Sequence, residues 1–185
     1  MTSFYSTEEL QKLGIRSYGE NIFISRKCSL YGADKMVFAN NVRIDDFCIL
    51  SGDIMIGNYV HIAAGTMLFS GNYRIIFEDF TTISSRSAVY AASDYYDGES
   101  LTYPMLSSEC RKTYGGDVLI KRHSIIGTGT TILPNVIIGV GCSIGAMSLV
   151  NKSLSEWTVY AGIPAKRIRD NSRKVLELEK LLSHR

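Results

Sequence analysis

The sequence predicts an all-β chain wound as a parallel β-helix. Three observations carry this: aliphatic residues recur every six positions, glycine and proline interrupt the most apolar stretch, and β-branched residues dominate that stretch. Residues 125–150, IIGTGTTILPNVIIGVGCSIGAMSLV, carry no charge and are long enough to cross a bilayer as a helix. They also contain Gly127, Gly129, Gly139, Gly141, Gly145 and Pro134. In a helix interior each glycine costs about 1 kcal/mol and proline about 3, so no membrane insertion is expected.

Counted in sixes, the run resolves. Ile120, Ile126, Ile132, Ile138, Ile144 and Val150 are evenly spaced, and four places after each come Ser124, Thr130, Val136, Cys142, Ser148 and Leu154. An earlier block repeats the beat at Phe38, Ile44, Leu50, Ile56, Ile62 and Leu68, and a short one at Phe77, Ile83 and Val89. A fixed short period marks a repeat architecture. Each hexad supplies a short strand and a bend: a large residue points inward, and the next must be small where the chain turns. Three hexads complete a triangular lap, and each lap buries its apolar side against its neighbours. The blocks are out of phase, so two insertions are expected, near 69–76 and at the tyrosine-rich 91–119.

The ends follow different rules. Ser6 and Glu9 form a capping-box pattern, with Gly14 as the stop, on a short helix in an N-terminal segment 1–20. The β-helix then spans 21–162. Beyond it, 163–185 combines a basic stretch with an amphipathic helix bearing Val175, Leu178, Leu181 and Leu182 on one face. That helix is expected to cover the open end of the prism.

Bulk properties narrow the function. A net charge of +2 over 185 residues, without a Lys/Arg block, does not suggest nucleic-acid binding. Cys28, Cys48, Cys110 and Cys142 lack a CxxC spacing, and the start has no signal-peptide layout. Reduced thiols in a cytoplasmic protein are the expectation.

Taken together, the hexads and the ending AGIPAKRIR directly after the last coil resemble the hexapeptide-repeat acyltransferases. The similarity is to their galactoside and maltose acetyltransferase branch and to the sugar acetyltransferases of bacterial surface-polysaccharide synthesis. The resemblance implies a left-handed coil, a homotrimer and acetyl-CoA lying in a groove between adjacent prisms. Carried over, it places backbone groups of Thr128 and Ala146 beside the pantetheine arm. Asn151 and Lys152 match the polar pair after the last coil, and Lys166 and Arg169 match positions meeting CoA phosphates or adenine. Arg167 is an extra cation beside them. Clustered Lys/Arg donors suit phosphate groups, although such cations also simply solvate a tail.

A sugar hydroxyl attacking a thioester needs a base, and histidine suits the task. Where the resembled enzymes carry one, this chain reads AVYAASDYYDG and has Ser93 or Asp94. Candidate catalytic residues are therefore His61, expected to point outward at a corner, and Asp94, as base or as orienter of His61. Ser93 is a hydrogen-bonding group, and His123, at an outward position, is a weaker candidate base. Tyr90, Tyr95 and Tyr96 of the long loop suit a sugar face, and Arg86 is assigned with them to substrate binding; the same loop could instead only clasp a neighbouring subunit.

The primary expectation is an acetyl-CoA-dependent sugar O-acetyltransferase. The missing histidine also fits N-acetylation of a nucleotide-linked amino sugar, because a free amine attacks with little help. A non-catalytic assembly module is the remaining alternative. No metal is expected: His61, His123 and His184 are the only histidines and do not suit three ligands on adjacent coils.

Overall fold

The computed structural model describes residues 3–182 and shows a three-faced prism of parallel strands. On the second face of each lap lie Ile22–Ile24, Val42–Ile44, His61–Ile62, Thr82–Ile83, Ile125–Ile126, Ser143–Ile144 and Thr158–Ala161, hydrogen-bonded in that order. The first face stacks Ser17–Tyr18, Val37–Phe38, the ends of Ile49–Ile56 and Met67–Phe77, then Val118–Ile120 and Ile137–Ile138. The third stacks Ser29–Tyr31, the starts of those two long strands, Ala88–Tyr90, Thr131–Ile132 and Leu149–Val150.

Inside, the six-residue beat becomes three columns. Ile44, Ile62, Ile83, Ile126 and Ile144 line the second face, Phe38, Ile56, Phe77, Ile120 and Ile138 the first, and Leu50, Leu68, Val89, Ile132 and Val150 the third; all are buried. The residues four places on, among them Val42, Cys48, Val60, Thr66, Thr81, Thr130 and Cys142, are buried too and fill the space left at the corners. The laps thus share one apolar shaft.

At the turns the reason for small residues differs from the one expected. At most corners the left-handed backbone falls on the third residue after the inward aliphatic, and many of these are not glycine: Phe47, Tyr59, Phe80, Arg86, His123 and Met147 all have φ between 57° and 62°. The residue directly after the aliphatic is small because the next coil passes close by. A Cβ on Gly139 would lie 2.7 Å from Glu156 Cα, and one on Gly127 would lie 2.5 Å from Ala146 N.

Neither insertion is a plain loop throughout. Residues 69–76 stay inside the continuous strand Met67–Phe77, which widens the corner between the third and first faces, with Asp53 paired to Arg74. The second insertion leaves from the same corner through an antiparallel stem, Ala92–Asp94 against Thr113–Gly115. Arg74 braces the return by donating from its backbone N (2.9 Å), Nε (3.0 Å) and Nη2 (2.6 Å) to the Asp117 carboxylate.

At the start, α1 (Thr7–Gln11) carries the capping box: Glu9 N donates to Ser6 Oγ, and Ser6 N donates to Glu9 Oε2. The last coil is closed by strand Lys166–Asp170, which pairs antiparallel with Thr158–Ala161. Helix α2 (Val175–Leu182) does not cover the open end. It buries no residue and is tied to the corner between the first and second faces, where Glu179 accepts from Arg122 and lies 2.9 Å from His123 Nε2. Glu179 is held by Arg122 and His123 on the side of the prism, and these contacts draw the helix to that corner.

Candidate active site

The corner between the second and third faces is built from small residues. Gly127, Thr128 and Gly129 stack directly beneath Gly145 and Ala146 because close coil approach admits nothing larger at Gly127. The turn hydrogen bonds around them use the N–H of Gly127 (to Ile144 O), Gly129 (to Ser85 O) and Met147 (to Thr128 O). Among the described residues, the N–H groups of Thr128 and Ala146 enter no such bond and stay available along the edge. Thr128 Oγ1 lies 3.0 Å from Ser85 Oγ, which ties this turn to the coil below. Arg86 sits exposed on that lower coil, at φ 57°.

Above this edge lie the tail cations. Ala161 pairs with Lys166, Tyr160 with Arg167 and Val159 with Arg169, and a bulge absorbs Ile168. Directly paired residues share one side of a sheet, so the bulge puts Lys166 and Arg169 together on the outer side, Lys166 beside Ala161 and Arg169 beside Val159. Arg167 falls on the other side and is spent on Asp170 at 2.7 Å. Asn151 and Lys152 are exposed just after the last strand of the third face.

His61 lies on a face, not at a corner: it pairs with Arg43 below and Thr82 above, with its side chain outward. Its carboxylate partner is Asp45, not Asp94, at 2.8 Å from Nε2 to Oδ2. Arg43 Nε donates to Oδ1 of the same aspartate at 2.7 Å. Partial burial pushes the Asp45 carboxyl up, but the hydrogen bonds from His61 and Arg43 outweigh it and hold the group below the ordinary range.

His123 points out from its corner but is not exposed. Its side chain is fully buried, stacked on Phe80 at 5.3 Å with Trp157 on the other side at 6.4 Å and Glu179 of α2 at 2.9 Å from Nε2. The third histidine, His184, lies outside the described residues. Among those residues, no group of three or more His, Cys, Asp or Glu is placed to hold a metal ion.

Ser93 and Asp94 occupy the stem of the long loop, at the corner between the third and first faces. Asp94 Oδ1 accepts from Arg111 Nε at 2.8 Å, and Ser93 Oγ donates to the Asp94 carbonyl at 3.3 Å. Tyr90 stacks on Phe69 (5.5 Å), Tyr95 leans on Tyr114 (5.2 Å), and Tyr96 is 89% exposed. The single chain therefore groups the candidates by corner and face. Thr128, Ala146, Lys166 and Arg169 gather along one edge, Ser93, Asp94 and the tyrosines at another, and His61 stands on the face between. Sequence reasoning passed over Asp45 and Arg111, whose partners lie 16 and 17 residues away in the chain.

A coiled prism with free turn N–H groups beneath paired cations is the layout of an acyl-CoA-dependent transferase. No protein-family model matches the chain. It is 43% identical, over 92% of its own length and 90% of the relative's, to a dTDP-4-amino-4,6-dideoxy-D-glucose acyltransferase of Escherichia coli. The chain belongs to the hexapeptide-repeat sugar acyltransferases and uses an acyl-CoA donor. It also superposes on AntD, an N-acyltransferase from Bacillus cereus, with a TM-score of 0.97 and 47% identity, covering 100% of this chain and 98% of that one. AntD has been solved as its S84C mutant with dTDP-4-amino-4,6-dideoxyglucose and coenzyme A, as its D94N mutant with dTDP and coenzyme A, and with dTDP and 3-hydroxybutyryl-CoA. A maltose O-acetyltransferase from Clostridium difficile 630 shares the fold, with a TM-score of 0.59 at 20% identity over 90% of this chain and 74% of that one.

Proposed function

We propose that the protein transfers an acyl group from acyl-CoA to the amino group of a dTDP-linked 4-amino-4,6-dideoxy sugar. The observation carrying this reading is the 43% identity, along nine-tenths of both chains, to an enzyme named for that acceptor. Nitrogen thereby displaces oxygen as the acylated atom. The sequence has no histidine at the head of the long loop, and an uncharged amine is nucleophilic enough to attack a thioester without a strong base. The amine forms a bond to the thioester carbonyl, the resulting oxyanion is met by turn N–H groups, and the CoA thiolate leaves as the amide forms, taking up the proton that the nitrogen loses.

In this reading the CoA arm lies along Thr128 and Ala146, with its phosphates toward Lys166 and Arg169 and with Asn151 and Lys152 near its path. Arg167, on the opposite side of its strand, takes no part. Asp94 accepts an N–H of the acceptor amine, and Tyr90, Tyr95, Tyr96 and Arg86 contact the nucleotide sugar. AntD has been solved with the substitutions D94N and S84C, and this chain has Asp94 and Ser84. Ser84 stands at the start of the small-residue corner, next to Ser85, and joins the candidates on that ground. His61, held by Asp45 on a face, supports the site without serving as base.

The two clusters meet between copies. Outward positions on the first face include Met55 and Ile137, 38% and 46% exposed, with Val37, Ile76 and Leu119, and the third face shows Ile49, Met67 and Leu149. Apolar columns of this kind suit a partner surface. A homotrimer covers them and brings one copy's Asp94 loop to the next copy's Thr128–Ala146 edge.

The test is turnover of purified protein with dTDP-4-amino-4,6-dideoxyglucose and either acetyl-CoA or 3-hydroxybutyryl-CoA, read as free thiol and as the product's mass. Amide formation on the amino sugar is the expected result. Turnover confined to acceptors that have hydroxyls but no amine would overturn the reading.

A further inference from the structure

We propose that Arg111 is a positioning residue, fixing Asp94 by one carboxylate oxygen and leaving the other for the acceptor amine. This rests on the reading in which Asp94 serves that amine.

Residues 95–112 run out from the prism and back, and the stem that closes them pairs Asp94 with Thr113. Tyr95 N donates to Lys112 O at 3.3 Å just beyond. The register therefore brings Arg111, two residues before Thr113, to the throat of the loop diagonally across from Asp94, from 17 residues away in the chain. The contact is single: Nε donates to Oδ1 at 2.8 Å, and among the described residues nothing donates to Oδ2. The same molecule holds a contrasting pair: Arg74 engages both oxygens of Asp117 with three donors, which braces the chain.

An aspartate on a two-stranded stem turns about its side-chain torsions unless something holds it. A charge-assisted bond from a planar guanidinium does so, and it also offsets a carboxylate that is only 27% exposed. Arginine suits this better than lysine because its Nε–H direction is fixed by the plane.

The test is a double-mutant cycle in the acyl-transfer assay with the dTDP-amino sugar. Arg111→Ala should lower kcat/KM for the acceptor about 10- to 100-fold, the range for losing a hydrogen bond to a charged group, without changing KM for acyl-CoA. Arg111→Lys should recover part of the loss. In an Asp94→Asn background, Arg111→Ala should add nothing, since its effect runs through that carboxylate. Lys112→Ala, which removes only the Glu99 pair farther out, controls for general ordering of the loop and should keep the parent rate. Near-normal rates for Arg111→Ala beside a crippled Asp94→Asn would overturn the positioning role and leave the Asp94 reading intact. An equal loss in both backgrounds would also overturn it, because Arg111 would then act elsewhere. A harmless Asp94→Asn would instead remove the underlying reading. If Arg111→Ala fails to fold, Arg111→Lys carries the cycle alone: its smaller loss must vanish in the Asp94→Asn background.

Discussion

His61 and Asp45 form a two-residue unit on an otherwise ordinary face, and the unit has a pH signature. Because its partners depress the Asp45 carboxyl, the stability it contributes is fully present above the unfolded aspartate range. It is lost as pH falls through the lower folded value, below about pH 4. Replacing His61 with alanine removes one of those partners. Acid unfolding followed by circular dichroism should therefore begin at a higher pH in His61→Ala than in the parent. The same variant should keep turnover within a few-fold of the parent on an amino-sugar acceptor. A loss near the 10²-fold scale of general-base removal would restore His61 as the base and return the hydroxyl reading to first place.

At the scale of single turns, position within the hexad decides what a substitution costs. Gly139 has an ordinary backbone, but a Cβ there meets the backbone of Ser155 and Glu156 on the next coil. That turn is held by Gly139 N donating to Leu154 O and Thr158 Oγ1 donating to Glu156 O, and main chain so fixed cannot yield as a flexible side chain can. Gly139→Ala should lower the melting temperature by several degrees while leaving KM for acyl-CoA unaffected, since the position lies away from the Thr128–Ala146 edge. An unchanged melting temperature would mean that the coils shift apart more readily than their ladder bonds suggest. The left-handed corners follow a different logic. Tyr59, Phe80 and His123 take positive φ at one corner on successive coils and stack, Tyr59 on Phe80 at 5.0 Å and Phe80 on His123 at 5.3 Å; Trp157, at the same corner two coils beyond His123, reaches it across Gly141 at 6.4 Å. Aromatic packing between laps accompanies the strained backbone there, a pairing that recurs too irregularly in the chain for periodicity to reveal it.

For the whole molecule, the open question is how many copies make one site. The apolar outer columns on two faces, together with the separation of Asp94 from the Thr128–Ala146 edge, argue for a site shared between subunits. Light scattering at assay concentration should give three times the chain mass of 20.6 kDa. Mixing an Asp94→Asn protomer with a Lys166→Ala, Arg169→Ala protomer should then restore part of the activity, because some interfaces receive one intact half from each. A fully active monomer would remove the shared site and require the loop corner to serve its own edge.

Much of this was legible before any coordinates. The six-residue spacing of Ile120 through Val150 determined the shaft, the three faces and which residues are buried, because burial in a β-helix is set locally by the period of the chain. Capping of α1 was equally local, resting on Ser6 and Glu9 three residues apart. Tertiary structure alone decided the partners: Asp45 against His61, Arg111 against Asp94, His123 sealed between Phe80 and Trp157, and Lys166 on the same side of its strand as Arg169. Each of these contacts depends on which coil lies over which, or on a bulge within one strand. Such register is a property of the stacked coils rather than of any single stretch of sequence.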